Sequence, residues 1–379
     1  MVGPYPLPGR PPTGGAQSAD EGDGVDPTLV TCTSAVSAPD VVRDDGLDLH
    51  LLPYGSSSRR SIPYLTERRH VQRTLRRLAP DVVHVQGQTH LASAALSVGL
   101  PTVVTLHGII YREQHIADPT ASAASRVRAR LRNGLNARFE RKVLERARDL
   151  VIISPYVLEA VEHMTRARTH MVANPIDDDF YEIPRRPVPG RVLFVGVMSP
   201  RKNVMVLVRS FEEVLRRRPD ATLHLVGRPA DPGYLQALKD EIACRGMSDS
   251  VRHLGVVSDE ELRHEYGEAT ILALPSKEES SPMAIQQAMA MGLPIVASRA
   301  AGIPFLVEEG VTGLLAIPDD EADLADQLVT ALGDDGLRDR MADACRTAAE
   351  RFRAEAVARA TLDVYAQATG TPVPVPAAR

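Results

Sequence analysis

The chain has 379 residues, of which 44% are hydrophobic and 25% charged, and it carries a net charge of −5. This length is enough for two domains with separate hydrophobic cores, and the composition is that of an ordinary globular protein. The negative balance, together with the absence of tryptophan, argues against a protein that binds nucleic acid.

No stretch approaches the roughly 20 apolar residues that span a bilayer, and the amino terminus lacks the apolar core of a secretory signal. The cysteines, Cys32, Cys244 and Cys345, lie far apart, which argues against a disulfide framework or a zinc site and predicts buried, free thiols. These features together predict a cytoplasmic protein. Only four of the 44 basic residues are lysine, and this arginine bias indicates a bacterial gene of high GC content.

Positive charge is concentrated in residues 51–150, which contain seventeen basic and seven acidic side chains. The densest part, 126–148, predicts a helix because apolar residues recur at every fourth position: Val127, Leu131, Leu135, Phe139 and Val143. The arginines between them form either a solvated helix face or a surface for anionic lipid or a phosphorylated acceptor. A peripheral membrane contact through this helix is therefore one prediction.

Short β-rich apolar runs alternate with amphipathic helical stretches along most of the chain. The runs lack strict alternation of apolar and polar residues, as expected for strands buried on both faces. We predict strands at 28–33, 81–86, 102–107, 150–154, 192–197, 222–226, 270–275 and 294–298. Alternation of this kind predicts an α/β fold with parallel sheets and helices on both sides.

The clearest boundary is the segment 174–190, which is rich in proline and aspartate and has no periodicity. It separates two α/β units, so ligands are expected at the carboxyl ends of the strands. The predicted divisions are an amino-terminal domain (1–173), the linker (174–190), a carboxy-terminal domain (191–345), a final helix that packs back across the domains (346–368) and a disordered tail (369–379).

The amino-terminal unit begins irregularly. Only Ala16–Pro27 separates Gly14 and Gly15 from the first predicted strand, and this span contains two glycines and a proline. A full crossover helix of a doubly wound unit does not fit there. The first strand and much of the first helix of this unit are therefore expected to be absent or reduced.

Residues 271–304 are the most informative segment, because a strand ends at Pro275, a polar loop follows and a helix begins near Pro282. The first N–H groups of that helix, around Met283 and Ala284, can bind an anion. Glu279 precedes them and cannot serve the same phosphate, because like charges repel. Its carboxylate either holds sugar hydroxyls beside the phosphates or caps the helix.

Residues 192–203 predict a strand, a tight turn and a helix capped by Asn203. Arg201 and Lys202 lie at the amino end of that helix, where cations oppose the helix dipole unless an anion lies between them. The alternative is a solvated turn. A further buried strand ends at His107, which is either a structural histidine or a group that lines the cleft.

These segments together resemble family 4 of the retaining glycosyltransferases, whose members have the GT-B fold of two facing Rossmann-like domains. The resemblance extends over residues 80–330 and is strongest in the second domain. It is carried, in order, by NPIDDDF at the interdomain turn, LVGRP, HLGVVSDEELRHEYGEATILALPS, EESSPMAIQQAMAMGLPIVAS and GIPFLVEEGVTGLLA.

The resemblance implies a role for each matching position. Glu279 is similar to the first glutamate of the family's motif of two glutamates with seven residues between them, which holds donor sugar hydroxyls. Lys202 is similar to the lysine that stabilises the departing diphosphate, and His107 to a histidine near the reacting carbon. The implied catalytic residues are therefore Glu279, Lys202 and His107. The implied donor-binding residues are Arg201, Gly14, Gly15, Ser281, Met283, Ala284, Gln287 and Val256.

The sequence departs from the family pattern at two of these places. Gln287 stands where the family has its second glutamate, and its amide can still hydrogen-bond the ribose but without charge assistance. Val197 stands where an arginine is usual, and Arg201 is a candidate for the missing charge.

The resemblance implies a retaining, metal-independent transfer of a hexose-type sugar from a nucleotide-diphospho-sugar, with a UDP-sugar as the expected donor and no cofactor. The acidic run Asp177–Asp179 is interpreted as turn chemistry and not as a metal site. One alternative is a non-catalytic or impaired homologue that binds the sugar nucleotide, suggested by the reduced amino terminus. The other is an epimerase with His107 and Glu279 as acid and base. The base, the sugar and the acceptor stay open.

Overall fold

The computed structural model describes residues 26–33, 35–44, 47–53, 64–109 and 123–373, and the side chains of 123–132 lie outside that description. The predicted glycine loop, Gly14 and Gly15, and the end of the predicted tail also lie outside the described residues. No helix in these ranges is both long enough and apolar enough to cross a membrane.

The described part of the amino-terminal half alternates strands and helices. Its strands are β1 Thr28–Thr33, β2 Asp40–Asp44, β3 Leu47–Pro53, β4 Val83–Gln86, β5 Thr102–Leu106, β6 Asp149–Ile152 and β7 Arg168–Met171. Its helices are α1 Leu65–Leu78, α2 His90–Leu96, α3 Ala123–Arg146 and α4 Pro155–Val161, with a 3₁₀ turn at Glu162–Met164.

These strands form two sheets. One has the order β1-β3-β2, with β1 parallel and β2 antiparallel to β3, and the other has the parallel order β4-β5-β6-β7. Cys32, Leu52 and Val83, from β1, β3 and β4, share one hydrophobic cluster with Leu75 of α1, so the two sheets have a common core. No ladder of hydrogen bonds joins the sheets within the described residues. The predicted reduction of the first strand and helix falls on residues outside the described ranges and stays a prediction.

The helix predicted over 126–148 corresponds to α3. Its last turns bury Val143 and Leu144 in the cluster that includes β5 and β6, and they expose Arg138, Arg141 and Lys142. Over the ranges that the structure describes, no carboxylate pairs with these three basic side chains. The exposed face of α3 is therefore positively charged.

The carboxy-terminal half repeats the alternation. Its strands are β8 Arg191–Val195, β9 Thr222–Val226, β10 Val251–Gly255, β11 Ile271–Leu274, β12 Ile295–Ser298 and β13 Gly313–Ala316. The helices from the linker onward are α5 Asp179–Glu182, α6 Val204–Arg217, α7 Pro232–Cys244, α8 Asp259–Glu268, α9 Met283–Ala290, α10 Glu321–Gly333, α11 Asp335–Ala349 and α12 Ala354–Thr369, with 3₁₀ turns at Ile303–Phe305 and Glu350–Phe352.

These six strands form one parallel sheet in the order β10-β9-β8-β11-β12-β13. Every residue of β11, β12 and β13 is buried, as expected for a parallel sheet with helices on both faces. The strand order reverses between β8 and β11, which are neighbours in the sheet although β9 and β10 separate them in the chain. Ligands of doubly wound proteins bind at such a reversal, beyond the carboxyl ends of the strands.

The acidic residues of the linker 174–190 make hydrogen bonds and ion pairs within the protein. The Asp177 carboxylate accepts a hydrogen bond from the Asp179 N–H at 3.1 Å, and the Asp179 carboxylate pairs with Arg263 at 3.1 Å. The linker also contributes α5 and buries Phe180 against Tyr266 of the second domain. The acidic run is therefore part of a structured turn.

The predicted helix over 346–368 is divided, because α11 ends at Ala349 and α12 begins at Ala354, after a 3₁₀ turn. Helix α12 packs on the amino-terminal sheet through Val357 and Val364, and its Tyr365 hydroxyl lies 2.8 Å from His84 Nδ1 on β4. The helix continues to Thr369, one residue into the predicted tail. Helix α11 thus packs in the core of the second domain, whereas α12 packs on the first.

Candidate active site

Two polar loops meet where the strand order of the second sheet reverses. The turn 196–203 follows β8, and the loop 275–282 follows the adjacent strand β11. Both strands are parallel, so both segments leave the sheet at the same edge. The topology therefore brings together the two segments to which the sequence assigns the donor phosphates and the donor sugar.

An ion pair joins these two segments. The Lys202 ammonium bonds to Oε1 of Glu279, and Arg201 Nη1 lies 3.5 Å from Oε2 of the same carboxylate. The side chains of Lys202 and Glu279 are 12% and 7% exposed. Two cations therefore contact one shielded carboxylate, and both cations are of the kind that bind phosphate groups.

The turn that carries Lys202 is held tightly against the next strand. A side-chain carbon at Gly227 would clash with the Gly196 carbonyl, so the two segments approach as closely as glycine allows. The Met198 N–H donates to the Arg228 carbonyl at 2.9 Å. Asn203 occupies the N-cap position of α6 with φ 58°, and its side chain makes no capping bond, contrary to the sequence prediction. Its amide is used elsewhere, because it donates to Asp319.

The loop that carries Glu279 is fixed at three successive carbonyl groups. The carbonyl of Glu278 accepts from Arg201 Nη1 at 2.7 Å, that of Glu279 from the Gly302 N–H at 2.7 Å, and that of Ser280 from the Ser154 hydroxyl at 2.7 Å. Each donor comes from a different element. A loop held in this way presents its carboxylate in one orientation, which is the condition for a preorganised binding site.

One of these contacts comes from the other domain. Ser154 precedes α4 in the amino-terminal half, and the Tyr156 hydroxyl of α4 donates to Oε1 of Glu278 at 2.5 Å. Ala301, on the other side of the loop, packs against the cluster that includes Tyr156. The beginning of α4 is therefore an interdomain contact on the loop of Glu279. Nothing in the local sequence pattern distinguishes Ser154, Tyr156 or Gly302, and these residues were not predicted.

Helix α9 begins directly after this loop. Of its amino-terminal residues, Met283 is exposed and Ala284 is half-buried. The first N–H groups of a helix have no hydrogen-bond acceptor within that helix. The hydroxyl of Ser281 accepts from the Gln286 amide at 2.7 Å. The predicted anion-binding end of the helix thus lies beside Glu279, while Ser281 is already bonded to a buried neighbour.

Gln287 is positioned by a buried tyrosine. Its Oε1 accepts a hydrogen bond from the Tyr266 hydroxyl at 3.0 Å, and Tyr266 has no solvent exposure. Burial raises the pKa of Tyr266 far above its ordinary value, so this hydroxyl stays protonated. Its one proton is shared between Gln287 Oε1 and the Ala284 carbonyl, which lies 3.2 Å away, and the NH₂ group of Gln287 is left as a donor for a ligand. The sequence carries no signal for Tyr266.

Two predicted residues lie farther from the ion pair. Val256 follows β10 at the edge of the sheet and is 76% exposed, which is unusual for a large apolar side chain. His107 follows β5 in the amino-terminal domain, where its Nε2 lies 2.7 Å from Oε1 of Gln86. In the described part of the chain, no contact joins either residue to Lys202 or Glu279.

The environment of His107 favours its neutral imidazole. Desolvation lowers the pKa of His107 below its ordinary value, and a hydrogen bond with Asn174 opposes this shift only in part. Asn174 is the first residue of the interdomain linker. His107 is therefore a hydrogen-bonding group at the carboxyl end of its strand, next to the linker.

Comparison with known protein families divides the chain at the linker. Residues 19–180 match the family model described as "Glycosyltransferase Family 4", and residues 189–334 match the model described as "Glycosyl transferases group 1". The two matched regions correspond to the two α/β units. The segments of Lys202 and Glu279 lie in the second of them.

Curated relatives align mainly with part of the chain. A D-inositol 3-phosphate glycosyltransferase of Corynebacterium efficiens is 36% identical over 181 residues, which is 47% of this chain and 43% of that protein. An alpha-D-kanosaminyltransferase of Streptomyces kanamyceticus is 28% identical over 269 residues, 65% of each protein. The chain thus matches less than half the length of the first relative.

Solved structures match over most of the chain. A sucrose-phosphate synthase from Thermosynechococcus elongatus has a TM-score of 0.72 with 19% identity, over 90% of this chain and 88% of that one. The Anabaena protein HepE, solved with UDP and glucose, has a TM-score of 0.66 with 21% identity, over 85% and 87%. The predicted GT-B fold is confirmed, and the chain belongs to the family 4 and group 1 glycosyltransferases.

Proposed function

We propose that the protein is a retaining glycosyltransferase that moves a hexose-type sugar from a UDP-sugar to an acceptor hydroxyl. The observation that carries this proposal is the Lys202–Glu279 pair at the strand reversal, beside the amino end of α9. Cations and free N–H groups suit a diphosphate, and a neighbouring carboxylate suits sugar hydroxyls. HepE, which shares the fold, was solved with UDP and glucose.

The reaction requires stabilisation of charge on both sides of one bond. The bond between the anomeric carbon and the β-phosphate oxygen breaks, and the acceptor oxygen bonds to the same carbon on the same face. The acceptor proton passes to the departing phosphate. Lys202, Arg201 and the α9 amino end stabilise the negative charge that develops on the diphosphate, and they supply this without a metal ion.

His107 suits the sugar side of the bond that breaks, opposite the diphosphate. The anomeric carbon becomes cationic in the transition state, so a protonated imidazole beside it would raise the barrier. The lowered pKa of His107 favours the uncharged form of the ring. We therefore assign His107 to hydrogen bonding of the donor sugar, while the departing phosphate takes the acceptor proton.

The test is a screen of donor consumption with UDP-, GDP- and ADP-sugars, measured as release of the nucleoside diphosphate with and without a chelator. We expect release from the UDP-sugar, insensitive to the chelator. Release from none of the donors, in the presence of a panel of polyol and sugar acceptors, contradicts the proposal. D-inositol 3-phosphate belongs in that panel because of the relative named for it.

One observation favours the non-catalytic alternative, a homologue that binds the sugar nucleotide without transferring the sugar. The two amino-terminal sheets are not joined by a ladder within the described residues, although they share one hydrophobic core. Calorimetry separates the two functions, since the alternative predicts binding of UDP and no release from any donor.

The charged face of α3 supports a second proposal, which is contact with a lipid surface. We propose that Arg138, Arg141 and Lys142, which are exposed, bring the enzyme to anionic lipid in the cytoplasm. Sedimentation with vesicles tests this, because binding to phosphatidylglycerol vesicles and not to phosphatidylcholine vesicles is expected. Equal sedimentation with both vesicle types contradicts it.

A further inference from the structure

Backbone strain is concentrated around the two loops of the site. Five non-glycine residues have a left-handed backbone among the residues that the structure describes: Tyr64, Ala79, Asn203, Ala301 and Asp319. Three of them adjoin the site, since Asn203 follows Lys202, Ala301 precedes the glycine that bonds the Glu279 carbonyl, and Asp319 bonds to Asn203. Strained residues of this kind persist only where the surrounding structure imposes them, and they are common at functional sites.

Asp319 connects the two loops. Its Oδ1 accepts a hydrogen bond from the Asn203 amide at 3.1 Å and also pairs with the Lys277 ammonium. Asn203 adjoins Lys202, and Lys277 lies two residues before Glu279. The Lys277 N–H in turn donates to the Arg201 carbonyl at 2.9 Å. One carboxylate oxygen therefore bridges the phosphate side and the sugar side of the site.

We infer that Asp319 is a positioning residue that holds Lys202 and Glu279 at the separation at which one donor molecule can bind to both. This inference rests on the proposed function. Asp319 contacts neither of them directly and acts through Asn203 and Lys277. Small displacements of binding groups reduce the rate of the chemical step much more than they reduce stability.

A purely stabilising role does not account for these contacts. The side chain of Asp319 is 53% exposed and that of Lys277 is 37% exposed. Ion pairs at this exposure contribute little to folding. The backbone of Asp319, with φ 63°, is also one that glycine adopts more easily than aspartate. Glycine would adopt this turn more easily, and the carboxylate is the feature that glycine lacks.

Because the backbone of Asp319 is left-handed, its replacement by glycine can remove the carboxylate without disturbing the turn. Asp319→Gly removes the carboxylate and relieves the strained turn, so we expect an unchanged or higher melting temperature. We expect kcat for donor hydrolysis to fall about 10-fold, with the donor KM changed less than about 3-fold. Asp319→Asn tolerates the same backbone and keeps the oxygen that accepts from Asn203, so it should retain activity within about 3-fold of wild type.

A matched control and a double-mutant cycle complete the experiment. Asp343→Ala removes an exposed ion pair on α11 in the same domain and should leave kcat unchanged. Asn203→Gly removes only the bond between Asn203 and Asp319, so it should lower kcat less than Asp319→Gly, which also removes the pair with Lys277. The double variant should be no slower than Asp319→Gly, because loss of the carboxylate already removes the bond to Asn203. Wild-type kcat in Asp319→Gly, or strictly multiplicative losses in the double variant, overturns this inference alone. If wild type neither binds UDP nor consumes a donor, the proposed function fails and this inference with it.

Discussion

The ammonium of Lys202 and the carboxylate of Glu279 form an ion pair that joins the turn after β8 to the loop after β11. A diphosphate that binds Lys202 competes with Glu279 for it. The freed carboxylate can then accept hydrogen bonds from sugar hydroxyls. In the proposed function, binding of the phosphates and binding of the sugar are therefore expected to be linked through one exchange of partners.

Replacement of the lysine should affect the chemical step. We expect Lys202→Ala to lower kcat for donor hydrolysis by on the order of 10²–10³, the usual result when a group that stabilises transition-state charge is lost. The matched control is Lys239→Ala, because Lys239 is exposed on α7 and belongs to the same domain. Release of nucleoside diphosphate measures both variants. Near-normal turnover of Lys202→Ala contradicts the role of the lysine.

The ribose contact predicted for Gln287 can be strengthened. Gln287→Glu keeps an oxygen that accepts from Tyr266 and adds charge assistance toward a ribose hydroxyl. We expect the affinity for UDP, measured by calorimetry, to be preserved or increased. A clear loss of affinity means that Gln287 does not face the ribose.

The buried tyrosine behind Gln287 should influence the same contact indirectly. Tyr266→Phe removes one hydrogen bond to the amide, so we expect UDP binding to weaken roughly 2- to 10-fold. Tyr181→Phe removes a tyrosine hydrogen bond to the Ala349 carbonyl, distant in sequence from the site, and should leave UDP affinity unchanged. Equal affinities in the two variants argue against positioning of Gln287 by Tyr266.

The contact between α4 and the loop of Glu279 should matter for turnover. Ser154→Ala and Tyr156→Phe each remove a hydrogen bond to this loop from the other domain. We expect each to lower kcat roughly 3- to 10-fold, consistent with the loss of one hydrogen bond. Circular dichroism melting should show whether the fold is retained. Variants that fold and turn over at the wild-type rate show that the loop does not depend on the amino-terminal domain.

The contact between α12 and β4 predicts a dependence of stability on pH. Burial lowers the pKa of His84 to about 4, below its ordinary value of 6.5. The unfolded chain therefore binds more protons between those two values, so the free energy of unfolding falls as the pH drops from about 6.5 to about 4. One histidine contributes a slope of up to about 1.4 kcal/mol per pH unit.

Urea unfolding at a series of pH values checks this dependence. His84→Gln removes the titrating group and should flatten the slope in that window, while part of it remains because the pKa of His90 is also lowered to about 4. At pH 7 the variant should be less stable than wild type, because glutamine alters the hydrogen bonds that His84 makes with Tyr365 and Thr105. An unchanged slope in His84→Gln contradicts the assignment to this histidine.

The fold was predictable where strands form continuous apolar runs between helices. All eight predicted strands are present, and their ends differ from the prediction by at most two residues. Five further strands were not predicted. Of these, β2 and β7 are exposed or polar, so their runs resemble loops, whereas β13 is only four residues long although every residue of it is buried. The division of the final helix was missed because the 3₁₀ turn at Glu350–Phe352 interrupts a segment without proline or glycine.

The site was predictable only in part. Lys202, Arg201 and Glu279 stand out by charge and by position at the ends of strands, and the structure brings them together. Ser154, Tyr266 and Asp319 act through contacts with residues distant in the sequence, and such contacts leave no local pattern. Asn203 is at the predicted N-cap position of α6, but its side chain makes no capping bond, because its backbone is left-handed and its amide bonds Asp319 instead.

The central claim is that Lys202 and Glu279 hold different parts of one donor molecule. Calorimetric titration of UDP and of a UDP-sugar against two variants tests it most directly. Lys202→Ala should weaken binding of both ligands, whereas Glu279→Gln should weaken the UDP-sugar and leave UDP unchanged or bound more tightly, since the lysine is released from its partner. Equal weakening of both ligands by Glu279→Gln, or no effect of either variant, would contradict the account.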